Sequence, residues 1–218
     1  MRIHIGGGES KTRLALAAML LCLSVAQAQA AATLPTLPQA QVDVSMPPVT
    51  GSTLNATCAT LQAQLNAAAA LNVNLTHRII LATGATCTGR YTLPSHTGGT
   101  GWILITGQNY SSLPPSGTRV GPSDAALMPK IRYGESSLHT GAMAAVTGAQ
   151  RYRIIGIEFI QNESFPINYA LIAMGYNNWN AVNTGYLIMD RTIGHDTNPA
   201  HATRRFISGH AQLGHTAL

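Results

Sequence analysis

With 218 residues, 13 Lys/Arg against 8 Asp/Glu and only 10% charged residues, the chain carries a formal charge of +5. That charge is scattered, with no polybasic run and no aromatic interleaving, which argues against a nucleic-acid partner. Frequent Ile, Leu and Val clusters likewise argue against disorder.

Residues 1–30 have the three parts of a secretory signal. Arg2, Lys11 and Arg13 make a positive start, Leu14 to Val25 is almost wholly apolar, and Ala26-Gln27-Ala28 and Ala28-Gln29-Ala30 both fit a small-x-small cleavage site. The apolar core is about a dozen residues, short of the roughly 20 that span a bilayer. No later stretch is long and apolar enough to span, so the predicted location is secreted or periplasmic. Removing the segment leaves ten Lys/Arg and seven Asp/Glu, and the formal charge falls to +3. Cys22 lies in the signal, leaving Cys58 and Cys87. An even pair in an oxidising compartment predicts a disulfide; the alternative, two metal-binding thiolates, lacks nearby His or Cys partners.

Residues 31–52 are rich in Pro, Ala, Thr and Gln and read as an extended leader. The period then changes. Between Thr57 and Leu71, Leu61, Leu65, Ala68 and Leu71 fall on one helical face, with Thr57 or Thr60 placed as N-cap. This is the one convincing helix of the mature chain, and it is amphipathic.

Everything after about Thr76 reads as strands and loops. Five short apolar runs each stop at a glycine: Arg78 to Gly84, Trp102 to Gly107, Met143 to Gly148, Leu171 to Gly175 and Arg205 to Gly209. The glycine-to-glycine steps are 23, 41, 27 and 34 residues by subtraction. Strands that return with the same punctuation predict a solenoid, in which each turn buries its apolar face on the next. The unequal steps predict loops of variable length. The longest, Gln108 to about Pro129, carries Pro114-Pro115, Gly117 and Gly121-Pro122, which forbid regular structure across it. Tyr152 to Phe159 and Tyr186 to Ile193 align at an offset of 34, with Gly156 and Asp190 at the matching corner. The fold class predicted is all-β, a parallel β-helix occupying residues 53–218, incomplete at its C-terminus. The N-terminal helix is its cap, closing an apolar end whose open edges invite aggregation.

Three further segments carry a resemblance: Leu113-Pro114-Pro115-Ser116-Gly117-Thr118-Arg119-Val120 running into Leu127 to Ile131, Arg151 to Phe159, and Leu187 to Asp196 followed by Arg204-Arg205-Phe206-Ile207. With the opening helix-then-strand order they make the chain resemble the N-terminal part of bacterial right-handed parallel β-helix proteins of the pectate lyase-like superfamily, over roughly Leu54 to Gly209. That resemblance implies a right-handed coil and a protein that acts on or binds extracellular polysaccharide. It also implies one reaction, β-elimination on a uronic-acid polymer with an arginine base and calcium held by carboxylates. The candidate bases are then Arg191, Arg204 and Arg205, and the candidate calcium ligands are Asp190 and Asp196. Two aspartates are a thin supply for an ion that takes several oxygens. The structural alternative puts Asp190 at a corner bonding backbone amides, with Arg191 paired to it or facing solvent.

Hydrolysis would need paired carboxylates flanking the bond. Asp124, Glu135, Glu158, Glu163, Asp190 and Asp196 form no adjacent pair, and Glu158 with Arg191, at an offset of 33, is one residue out of the repeat. His195, His201, His210 and His215 match no compact zinc spacing. A second function class rests on the aromatics. Tyr176 and Trp179, with the amides of Asn177, Asn178 and Asn180, would make a carbohydrate-binding platform on a non-catalytic scaffold. A monomer is expected.

Overall fold

The computed structural model describes residues 45–115, 118–134, 141–161, 167–168, 170–174, 184–196, 202–203 and 206–209. The signal-like segment 1–30 and most of the leader lie outside the described residues.

Among the described residues one α-helix, α1 (Leu61–Ala70), lies among fifteen short strands. In chain order these are β1 (Thr53–Ala56), β2 (His77–Leu81), β3 (Thr86–Gly89), β4 (Tyr91–Leu93), β5 (Ile103–Gly107), β6 (Lys130–Tyr133), β7 (Met143–Ala145) and β8 (Gln150–Ile155). There follow β9 (Glu158–Ile160), β10 (Ile167–Asn168), β11 (Ile172–Met174), β12 (Gly185–Asp190), β13 (Ile193–His195), β14 (Ala202–Thr203) and β15 (Ile207–Gly209). They assemble as sheet A (β1-β2-β5-β8-β12), sheet B (β3-β6-β9-β13), sheet C (β4-β7-β11-β15) and the pair β10-β14. Every pairing is parallel. From β2 onward the chain visits A, B and C in fixed rotation, so each strand pairs with its counterpart one round earlier. A protein of this kind is all-β and parallel.

Parallel strands buried on one side need alternating side chains. Sheet A turns Ile79, Leu81, Ile103, Ile105, Tyr152, Ile154, Leu187 and Met189 into a single core, which Cys87, Ile131, Tyr133 and Phe159 enter from sheet B and Leu93, Met143, Ile172 and Met174 from sheet C. Each fully buried Leu or Ile contributes roughly 1.5–3 kcal/mol.

The glycine-ended runs do not form one row. The first two are β2 and β5 in sheet A, whereas Met143 to Gly148 and the two later ones supply β7, β11 and β15 in sheet C. The step of 41 is therefore a change of sheet as well as a long loop. The last round is uniform: Arg153 pairs Ile188, Glu158 pairs Ile193, Ile167 pairs Ala202 and Ile172 pairs Ile207. Each is a separation of 35, one more than the offset expected from sequence. Gly156 thus matches Arg191 rather than Asp190.

The helix starts at Thr60, as its spacing predicts, and buries Leu61, Leu65 and Ala68. Thr60 makes no side-chain cap bond to the helix; its Oγ1 instead accepts from the Thr57 N–H at 2.9 Å. Helix and sheet are tied by a disulfide and by side-chain hydrogen bonds. The disulfide Cys58–Cys87 joins the segment before α1 to β3. Gln62 reaches β4, the edge strand of sheet C, where its Oε1 accepts from Thr92 N–H at 2.7 Å and its Nε2 donates to Thr92 O at 3.1 Å. One side chain thereby stands in for a missing strand. His77, 2% exposed, accepts from Ser52 N–H at Nδ1 (2.9 Å) and donates from Nε2 to Asn72 O (3.0 Å). That pattern fixes its tautomer. Gly51 is what admits the ring, because a Cβ there would lie 2.4 Å from it.

Candidate functional site

Charged side chains gather where sheet A turns into sheet B. Asp190 ends β12 and is 7% exposed, while Arg153, its neighbour on β8, is 2% exposed. Burial of that kind requires partners. The Arg153 Nη2 donates to Asp190 Oδ2 at 2.8 Å, and its Nη1 donates to the Ser45 carbonyl at 2.7 Å. Arg191 closes on the same carboxylate, with Nε to Oδ1 at 2.9 Å and Nη2 to Oδ2 at 3.2 Å. Burial alone would raise the Asp190 pKa, but hydrogen bonds from Arg191 and Arg153 and their positive charge carry it down.

The corner itself dictates this geometry. Arg191 has φ +49° and Gly156, its counterpart one round earlier, has φ +61°. A Cβ on Gly156 would sit 2.6 Å from Leu113 Cδ1, so the long loop, with its 3₁₀ turns Tyr110–Ser112 and Pro122–Leu127, packs where only glycine fits. Leu113, Val120 and Met128 make a small second core there, against Ile193. Arg191 tolerates a left-handed backbone, at about 1–2 kcal/mol, while its guanidinium holds both Asp190 and the Pro114 carbonyl (3.4 Å).

A second cluster lies on sheet B. Lys130 and Glu158 are register partners on β6 and β9, alternating with the core residues Ile131 and Phe159 and so facing away from them. Glu158, 3% exposed, is ion-paired to Lys130 through Oε2. Its Oε1 meets His195 Nε2 at 2.6 Å, and His195 Nδ1 meets the Asp196 carbonyl at 3.0 Å. Both ring nitrogens face acceptors, an arrangement that the protonated imidazole satisfies in full. Burial would lower the His195 pKa, but the Glu158 hydrogen bond, the Asp196 carbonyl and the Glu158 charge together raise it despite Lys130. In that protonated form both nitrogens are committed, and His195 has no lone pair with which to take a proton from a substrate.

A third feature lies where sheet C turns into sheet A. Arg151 (φ +57°) and Tyr186 (φ +54°) are equivalent residues on β8 and β12, both left-handed and neither glycine. The Arg151 guanidinium stands 4.7 Å above the centre of the Tyr186 ring, a cation–π contact. Tyr186 is 53% exposed. Nearby, His96 is buried edge-on against Tyr152 at 6.3 Å between ring centres. Burial lowers its pKa, a Gln150 backbone bond opposes that, and the Arg151 charge adds to the lowering.

The sequence-derived candidates are therefore distributed unevenly. Asp190 and Arg191 meet at one corner, and Glu158 aligns with Ile193 rather than with Arg191. Cys58 and Cys87 form the disulfide. Asp196 follows β13, and its carbonyl engages His195. Arg204, Arg205, Tyr176 and Trp179 lie outside the described residues. Among the described residues no group of three His, Cys, Asp or Glu side chains is placed to hold a metal, and no helix is long and apolar enough to cross a membrane. Sequence reasoning missed Lys130, Arg151 and Arg153. An alignment at 35 instead of 34 would have exposed the last two, because it pairs Arg151 with Tyr186 and Arg153 with the residue two before Asp190. No protein family, curated protein or solved structure matches the chain.

Proposed function

We propose that this is an exported right-handed parallel β-helix protein, capped by α1, that binds an extracellular polysaccharide without cleaving it. The observation that carries the reading is the parallel registry of sheets visited in rotation. Equivalent outward side chains recur every ~4.8 Å, the parallel strand spacing, which suits a ligand that is itself a linear repeat. The disulfide fits an oxidising compartment, and the signal-like N-terminus fits export.

For Arg191 and Asp190, the way the charges are used favours binding over elimination. An arginine base must shed a proton, and Arg191 is instead committed to Asp190 on one side and Pro114 on the other. A calcium ligand must offer free carboxylate oxygens, whereas both Asp190 oxygens accept from guanidinium groups. Affinity electrophoresis in gels cast with polygalacturonate, dextran sulfate or neutral dextran tests the reading. Retarded migration in at least one gel is expected, and unretarded migration in all three would contradict it. With polygalacturonate and calcium, no rise in absorbance from unsaturated product is expected; a steady rise would restore the lyase alternative.

A further inference from the structure

The Arg151–Tyr186 pair belongs to a longer row. Ile103 pairs Tyr152, and Tyr152 pairs Leu187. The residues just before them therefore align across three successive strands, Trp102 immediately ahead of β5 and Arg151 and Tyr186 within β8 and β12. Ile103, Tyr152 and Leu187 point into the core, and their predecessors are the more exposed member of each pair. Trp102 and Arg151 are partly exposed and Tyr186 is exposed. The outcome is aromatic, cation, aromatic, with the two rings' backbones about two strand spacings, or ~9.6 Å, apart. That is close to the span of two pyranose units. The left-handed backbone at Arg151 and Tyr186 re-aims both side chains at the point where each strand begins, as bulges do. No hydrogen bond or ion pair holds the Arg151 guanidinium among the described residues; its one described partner is a ring face. A guanidinium stacked on a ring still presents its N–H edge to an oxyanion.

We propose that Trp102, Arg151 and Tyr186 form the docking row for a glycan strand laid across the β-strands. The two rings carry successive sugar faces, and Arg151 takes an anionic substituent between them. Its ligand class, an anionic glycan, rests on the polysaccharide reading above. Carboxylate and sulfate present the same oxyanion edge to a guanidinium, and the probes separate them.

The test measures dissociation constants of the full chain for polygalacturonate, dextran sulfate and neutral dextran, with circular dichroism confirming that each variant is folded. The wild type is expected to bind at least one anionic polymer more tightly than neutral dextran, and more weakly as salt rises. Tyr186→Ala is expected to weaken that binding about tenfold, and Arg151→Gln to remove the preference for the anionic polymer. Tyr186→Phe and Arg151→Lys, which keep ring and charge, are expected to retain most of it and serve as references should the harsher changes unfold the chain. Wild-type binding unchanged in Tyr186→Ala and Arg151→Gln would overturn the row while leaving the polysaccharide reading intact. A folded wild type that binds none of the three polymers would overturn both.

Discussion

The two ends of the described fold are held by different forces. At the N-terminal end three described ties are covalent or neutral: the Cys58–Cys87 disulfide, the Gln62 clamp on Thr92, and His77 fixed between Ser52 and Asn72. At β8, β9, β12 and β13 they are ionic: Arg153–Asp190–Arg191 and Lys130–Glu158–His195. The disulfide and the Gln62 amide do not titrate, whereas the ionic ties respond to pH. The comparison places stability at the helix end and adjustable chemistry at the other.

The largest expected effect breaks the first region. Replacing Cys58 and Cys87 by alanine opens a loop with a sequence separation of 29 and is expected to lower stability by roughly 3–4 kcal/mol, read from urea unfolding. Arg153→Ala strikes the second region and is expected to cost about 3 kcal/mol. The loss stays at the low end because Arg191 continues to compensate Asp190. Gln62→Ala, which leaves the Thr92 amide and carbonyl without their partner, is expected to cost about 1–2 kcal/mol in the same measurement.

The smallest effects sharpen the contrast through pH. His195 has a raised pKa, so its contribution is full below the unfolded value of about 6.5 and is lost as pH rises through the folded value. His96 has a lowered pKa, so its contribution is full above about 6.5 and is lost as pH falls through the folded value. Asp190, also lowered, adds a further loss only in stronger acid, as its carboxylate protonates. Unfolding midpoints from pH 5 to 9 are therefore expected to peak between the two histidine limits. His195→Gln should flatten the alkaline side and His96→Phe the acid side, and a profile unchanged by either would remove the assignment.

Much of the architecture was legible because it depends on patterns a chain cannot hide. The period of Leu61, Leu65 and Ala68 marks the helix, and the short β-branched runs mark strands. Register was legible only to within one residue. The alignment at 34 relied on matching Gly156 with Asp190 as corner residues, but the corner needs a left-handed backbone, and Arg191 supplies it at the cost of strain. Sequence propensity gives no warning that an arginine will take a position suited to glycine. The sheet change at Met143 was hidden for a related reason. A glycine-ended strand looks the same in sheet A and sheet C, and only pairing tells them apart. The Asp190–Arg191 pair was legible from adjacency, but Lys130–Glu158, Arg153–Asp190 and Glu158–His195 join residues 28 to 37 apart and meet only once the strands are stacked.

Hydrogen exchange resolved by peptide tests the division of forces most directly. Reduction of the disulfide is expected to release amides within 53–93 while 185–195 keep their protection, and Arg153→Ala is expected to do the reverse. Simultaneous loss of protection across both regions under either change would contradict the account.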